Sequence, residues 1–189
     1  MKRLLVNIAT FGLLIGLVSC GPKKDDSKEV AEESNEQKFE DTKMEDDTEF
    51  AVTIADAAML EVRLGELAQT NGYASEVKSF AKMMIDDHTK AGEELKMVAN
   101  QKNITLPATL SNTSQGKYDD LSKKTGKDFD YAYTDAMVSG HKDVLEAMKK
   151  EAEKGKDAEL KAWATAKVAV IEHHLEVAKQ TEDAVDKMK

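Results

Sequence analysis

The sequence predicts an all-α fold of four long helices joined by two tight turns and one long crossover. Three observations carry that reading. Apolar residues recur at spacings of three and four through four separate stretches, as amphipathic helices require. Only two prolines occur in 189 residues, and strand-like alternation is nearly absent. The connection between the second and third stretches, "NITLPATLSNTSQGKYDDLSKKTG", is far longer than the other two, which span only a few residues.

Residues 1–19 have a basic start, an apolar run and a small-residue ending, which reads as a secretory signal rather than a spanning helix. The ending Leu17, Val18, Ser19, Cys20 resembles the bacterial lipobox, whose cysteine is acylated and becomes the mature N-terminus. The alternative is an ordinary cleaved signal that happens to contain a cysteine. Cys20 is the only cysteine, so the mature domain is left without a disulfide, a catalytic thiol or a cysteine zinc site. Gly21 resembles the sorting pattern for the outer membrane, and Lys23 to Asp26 ("KKDD") the tether by which some lipoproteins reach the cell surface. The expected location is therefore the bacterial envelope, lipid-anchored at the outer membrane on its periplasmic face or at the cell surface.

Residues 20–47, beginning with the lipidated cysteine, are expected to form a disordered acidic tether, because so few of them are apolar that burial cannot offset the entropy of ordering. Loss of Lys2 and Arg3 with the leader takes the formal charge from -9 to -11. Residues 21–49 carry twelve acids and five lysines, a net of -7, which leaves -4 on residues 50–189. The acidity belongs to a solvated spacer, which argues against nucleic acid as a partner. The membrane, through the lipid, is the expected contact, and the sequence names no protein partner.

Residues 48–189 are then one helical domain. The first helix is predicted near 48–70, ended by Asn71 and Gly72. The second runs near 75–102 from Ser75, the third near 128–154 from Asp128 to Gly155, and the fourth near 157–187 with Asp157 as its cap. A short helix is expected around 113–123 within the long connection. Short connections make antiparallel neighbours, whereas the long one can run the length of the domain and start the third helix parallel to the second. That is the ferritin-like four-helix bundle with a long crossover between helices 2 and 3, and the alternative is a simple up-down-up-down bundle.

One apolar seam runs along each helix. The first holds Phe50, Ile54, Ala57, Glu61, Leu64 and Ala68, and the second Val77, Ala81, Met84, His88, Ala91, Leu95 and Val98. The third holds Phe129, Tyr133, Met137, His141, Val144 and Met148. The fourth holds Leu160, Ala164, Lys167, Ile171, His174, Ala178 and Val185, with Lys167 discordant. The interrupting residues fall near the middle of helices roughly 40 Å long at 1.5 Å per residue. Glu61, His88, His141 and His174 should therefore converge at one level. His173 lies about 100° round the helix from His174, which suits an outer brace or a helix interface.

The segments "AAMLEVRLGELA" (57–68), "VKSFAKMMIDDHTKAGEELKMVA" (77–99), Leu106-Pro107, "DFDYAYTDAMVSGHKDVLEAMKKEA" (128–152) and "HLEVAK" (174–179) resemble the domain of unknown function 4142 family, ferritin-like proteins of bacterial envelopes often labelled outer membrane proteins. The resemblance implies the fold, an envelope location and inward histidines. It supplies no biochemical activity.

A carboxylate and three imidazoles suit zinc, iron or copper. A ferritin-type di-iron site needs Glu-x-x-His on two helices, but the residues three before His88, His141 and His174 are Ile85, Val138 and Ile171. Ferroxidase and oxygenase chemistry are disfavoured accordingly. Asp86 and Asp87 flank His88, and Asp87 is a candidate outer brace. Met84 and Met137, each four residues before a histidine, would suit cuprous ion as accessory ligands, although methionine is also a common core filler. The competing reading of the cluster is a buried hydrogen-bond network that fixes helix register. A pH-sensing role is a lesser alternative.

No Gly-rich phosphate loop, Gly-x-Ser-x-Gly or His-Glu-x-x-His occurs, and Trp163 reads as core. Three functions remain from different classes. The first is a lipid-anchored protein that binds a transition metal for storage, buffering or stress protection. The second is a non-catalytic structural or interaction lipoprotein, and the third a redox enzyme. The balance is against catalysis.

Overall fold

The computed structural model describes residues 25–40 and 42–188. The expected signal peptide, residues 1–19, and the lipidation site Cys20 lie outside them. Six helices follow in order: α1 (Ser27–Phe39), α2 (Glu45–Asn71), α3 (Ser75–Gln101), α4 (Asn112–Ser122), α5 (Gly126–Lys154) and α6 (Ala158–Asp186). No strand occurs among the described residues, and the fold is all-α. The four long predicted helices correspond to α2, α3, α5 and α6, and the short one to α4.

Their ends follow local chemistry. Asp157 caps α6 by accepting from the backbone N–H groups of Glu159 and Leu160, both at 3.0 Å. Gly155 closes α5. The start of α5 lies two residues before the expected Asp128, because Gly126 adopts a φ of 64°, a left-handed turn that a side chain resists.

The helix directions can be read from contacts at the ends. The carboxylate of Asp130, near the start of α5, accepts from Tyr73 N (3.0 Å) and Ala74 N (2.8 Å), at the start of α3. At the opposite end Asp47, near the start of α2, accepts from the backbone of Lys156 and Asp157, where α6 begins. Helices α3 and α5 therefore run parallel, with α2 and α6 opposed to them. Side-by-side packing joins α2 to α3, α3 to α6, α6 to α5 and α5 to α2.

The expected tether is corrected by α1. Asp26 caps this helix at Lys28 N (2.9 Å), and the helix docks along the connection between α3 and α4. Asn35 Nδ2 donates to Thr105 O (2.9 Å) while Thr105 N donates to Asn35 Oδ1 (2.7 Å). Farther along, Ser27 Oγ accepts from Ala108 N and Thr109 N. Apolar content failed as a guide here because polar side chains of α1 satisfy the backbone of an irregular segment, while Ala31 is buried and Phe39 packs on the core. On α2, buried Asp56 accepts from Ser111 N (2.7 Å), Ser111 Oγ (2.8 Å) and Ser114 Oγ (2.7 Å), which fixes the start of α4.

The apolar interior is divided in two. One cluster includes Leu64, Ala81, Met84, Tyr133, Met137 and Ala178. The other includes Ile54, Leu95, Val144, Met148, Trp163 and Ile171. Along every long helix, the residue between the two clusters is polar: Glu61, His88, His141 and His174.

Candidate metal centre

The seam on each long helix carries one of these four residues inward, and they are almost wholly buried: Glu61 is 4% exposed, His88 5%, His141 0% and His174 1%. The imidazoles form a near-equilateral triangle. Ring centroids lie 5.5 Å apart for His88 and His141, 5.2 Å for His88 and His174, and 5.6 Å for His141 and His174. One ligand-capable atom from each of the three falls within 4.8 Å of the others.

The outward-facing nitrogens decide the tautomers. His141 Nδ1 lies 2.9 Å from the carbonyl oxygen of Met137, which can only accept, so this nitrogen carries the proton. His174 Nε2 meets Asp87 Oδ2 at 2.9 Å and donates likewise. His88 Nδ1 stands 3.1 Å from Glu61 Oε2, a carboxylate that favours the proton there, although the approach is bent and leaves that oxygen without an aligned hydrogen bond. Glu61 Oε1 lies 3.3 Å from His141 Nδ1. The opposite nitrogens, His88 Nε2, His141 Nε2 and His174 Nδ1, are buried and have no hydrogen-bond partner. Each ring thus offers an unprotonated lone pair to the interior, held in place by an acceptor behind it.

Burial favours the neutral form of two of the rings, His88 and His174. Burial pushes the His174 pKa down to about 4, with His88 and His141 adding to the shift against the opposing pull of Asp87. Burial also holds His88 below the usual imidazole range, while Glu61 opposes it. Neutral imidazole is the form that coordinates metal.

The remaining candidates are placed as follows. Glu61 stands beside the Nδ1 edges of two rings and is outside the group of three ligand-capable side chains. Asp87 is half-exposed and braces His174 from α3. Met84 and Met137 are buried in the apolar cluster on one side of the histidine layer. The side chain of His173 is exposed. Discordant Lys167 is explained by an ion pair with Glu94.

On the other side of the layer lies a cavity of about 130 Å³, bounded by Glu61, His88, His174, Val144, Met148 and Trp163 among others. Trp163 is packed in the core edge-on to Phe50, and its Nε1 lacks a hydrogen-bond partner. Glu94 lies near enough for the indole to help Lys167 hold that carboxylate below its usual range, an electrostatic approach without hydrogen-bond geometry. Sequence reasoning passed over this orphan donor, and also the buried unpartnered hydroxyl of Tyr133, whose pKa is raised by burial and by Glu61. Both residues sit at or beside apolar seams, where the pattern signals only packing.

A family model described as a domain of unknown function (DUF4142) matches residues 31–181. The chain belongs to this family. The DUF4142 match includes Glu61, Asp87 and all three buried histidines, and it starts within α1, inside the stretch expected to be a tether. No curated protein and no solved structure matches the chain. Among the described residues, no helix is long and apolar enough to cross a membrane.

Proposed function

We propose that His88, His141 and His174 hold one transition-metal ion, in a ferritin-like four-helix bundle formed by α2, α3, α5 and α6. One observation carries the reading: three buried lone pairs, close together and unpartnered. A hydrogen-bond network that merely fixed register would pair such atoms with donors, because an unsatisfied buried polar group costs about 1–3 kcal/mol. A metal ion satisfies all three at once. Three neutral nitrogens suit zinc or copper best, with ferrous iron next.

Glu61, Asp87 and the Met137 carbonyl act as outer braces in this reading: they hold each ring in the tautomer that coordinates. Their two carboxylates also offset the charge of a divalent ion. The proposed role is metal storage or buffering in the bacterial envelope. That location rests on the leader-like start and the lipobox-like Leu17 to Cys20, with the lipid as the membrane contact.

The test is metal analysis of the full chain, prepared without a His-tag and titrated separately with zinc, copper and ferrous iron. One ion per chain is expected, lost in a His88→Ala, His141→Ala double variant that remains helical. A well-folded wild-type protein that binds none of the three sinks the reading.

A further inference from the structure

The two sides of the histidine layer are packed differently. On one side Met84, Met137 and Tyr133 fill the interior, and the Phe80 ring centroid lies 6.5 Å from that of His141. On the other side the cavity of about 130 Å³ adjoins His88 and His174. A water occupies about 30 Å³ of liquid, so this space exceeds what one water would fill.

Three nitrogen donors also leave a zinc or copper ion short of its preferred coordination. Structural zinc sites close with a fourth protein ligand, whereas sites that act on small molecules keep that position open. Among the described residues, no fourth side chain joins the three imidazoles in the group that can hold an ion. Trp163, nine-tenths buried with its Nε1–H unpartnered, lines the cavity, as do the polar side chains of Glu61, Asp87, Lys90 and Lys167. Its apolar part is formed by Ile54, Leu95, Val144 and Ile171 among others.

Resting on the metal-site reading, we propose that the bound ion keeps its fourth position open toward this cavity and takes there a small exogenous donor of two or three heavy atoms. Azide, peroxide and dioxygen are of that size. The ligand binds the ion at one end, and the indole N–H of Trp163 lies on the wall to receive the other. A site so built exchanges a small molecule at the ion without surrendering the ion itself.

The experiment uses the full chain loaded with copper(II) and titrated with sodium azide. Saturable azide-to-copper charge-transfer absorption is expected, with quenching of Trp163, the only tryptophan in the chain. Val144→Phe, which fills the cavity without touching an imidazole nitrogen, should weaken azide binding at least tenfold while metal stoichiometry holds. Trp163→Phe provides a second variant should the larger ring disturb folding. It removes the donor, enlarges rather than fills the space, and should weaken binding several-fold. Copper bound with no spectral response to azide overturns the open position and leaves the metal site standing. Azide affinity unchanged in both variants overturns the cavity as its place. Failure to bind metal at all removes both readings together.

Discussion

The carboxylate of Asp87 on α3 lies 2.9 Å from Nε2 of His174 on α6, a contact that joins two helices and fixes which nitrogen of the ring faces the interior. Asp87 itself is half-exposed, so its burial adds little to stability. Its effect should fall on the ion. Asp87→Asn is expected to weaken metal affinity by about 10- to 100-fold, the usual range for loss of an outer brace. Competition with a chromophoric chelator, alongside an unchanged melting midpoint of the metal-free protein, checks this. Equal affinities for the two proteins would remove Asp87 from the site.

Glu61 predicts a different pattern because it is buried and borders two rings. Glu61→Ala leaves the Nδ1 edge of His88 without its acceptor, and His141 with only the Met137 carbonyl. The metal-free protein should lose about 1–3 kcal/mol, as expected when buried polar groups go unsatisfied. Metal affinity should fall as well. Urea unfolding of the metal-free variant separates the two effects, and a variant unchanged in both would remove Glu61 from the layer's energetics.

Docking of α1 rests on the paired hydrogen bonds between Asn35 and Thr105. Asn35→Ala breaks both and strands the Thr105 backbone in a partly buried place, at a cost of about 1–3 kcal/mol. Amide hydrogen exchange should show faster exchange at Thr105 and through α1, with the α3 and α5 cores unaffected. Protection equal to wild type would mean that α1 is held by other contacts.

What the sequence made legible followed from periodicity. Each long helix had a seam, and the seam correctly placed Phe50, Leu64, Met84, Tyr133, Leu160 and Ala178 in the interior. The same count put one polar residue of each helix at a common depth, which is where the structure brings them together. Three features escaped it. The helical state of residues 27–39 depends on polar contacts with a distant segment, and composition carries no trace of these. The buried aspartates Asp47, Asp56 and Asp130 carry no mark in the apolar pattern, yet each accepts at least one backbone N–H from another part of the chain. The division of roles within the cluster was also hidden. Helical spacing can bring Glu61 and the histidines to one level but does not reveal which ring nitrogen meets an acceptor, and that depends on neighbours such as Asp87 and the Met137 carbonyl.

The acidic end of the fold gives a prediction with a defined sign. Glu151 is 4% exposed, its Oε1 has no partner, and a Cβ on Gly155 would come within 2.2 Å of that oxygen, so the side chain lies over the turn into α6. Burial first, then the charges of Asp47 and Asp157, push its pKa to about 7 from an ordinary value of 4.5, while Lys161 opposes and Asp46 adds. The folded state therefore binds this proton more tightly than the unfolded chain. The resulting stabilisation is complete below pH 4.5 and is lost as pH rises through about 7. Glu151→Gln mimics the protonated form. It should leave stability at acid pH unchanged and raise it at pH 8, by on the order of 1–2 kcal/mol after allowance for solvent screening. Urea denaturation of the metal-free protein between pH 4.5 and 8 checks this, with the variant showing the flatter profile. If both proteins lost stability in parallel across that range, the proton would have to reside on another group.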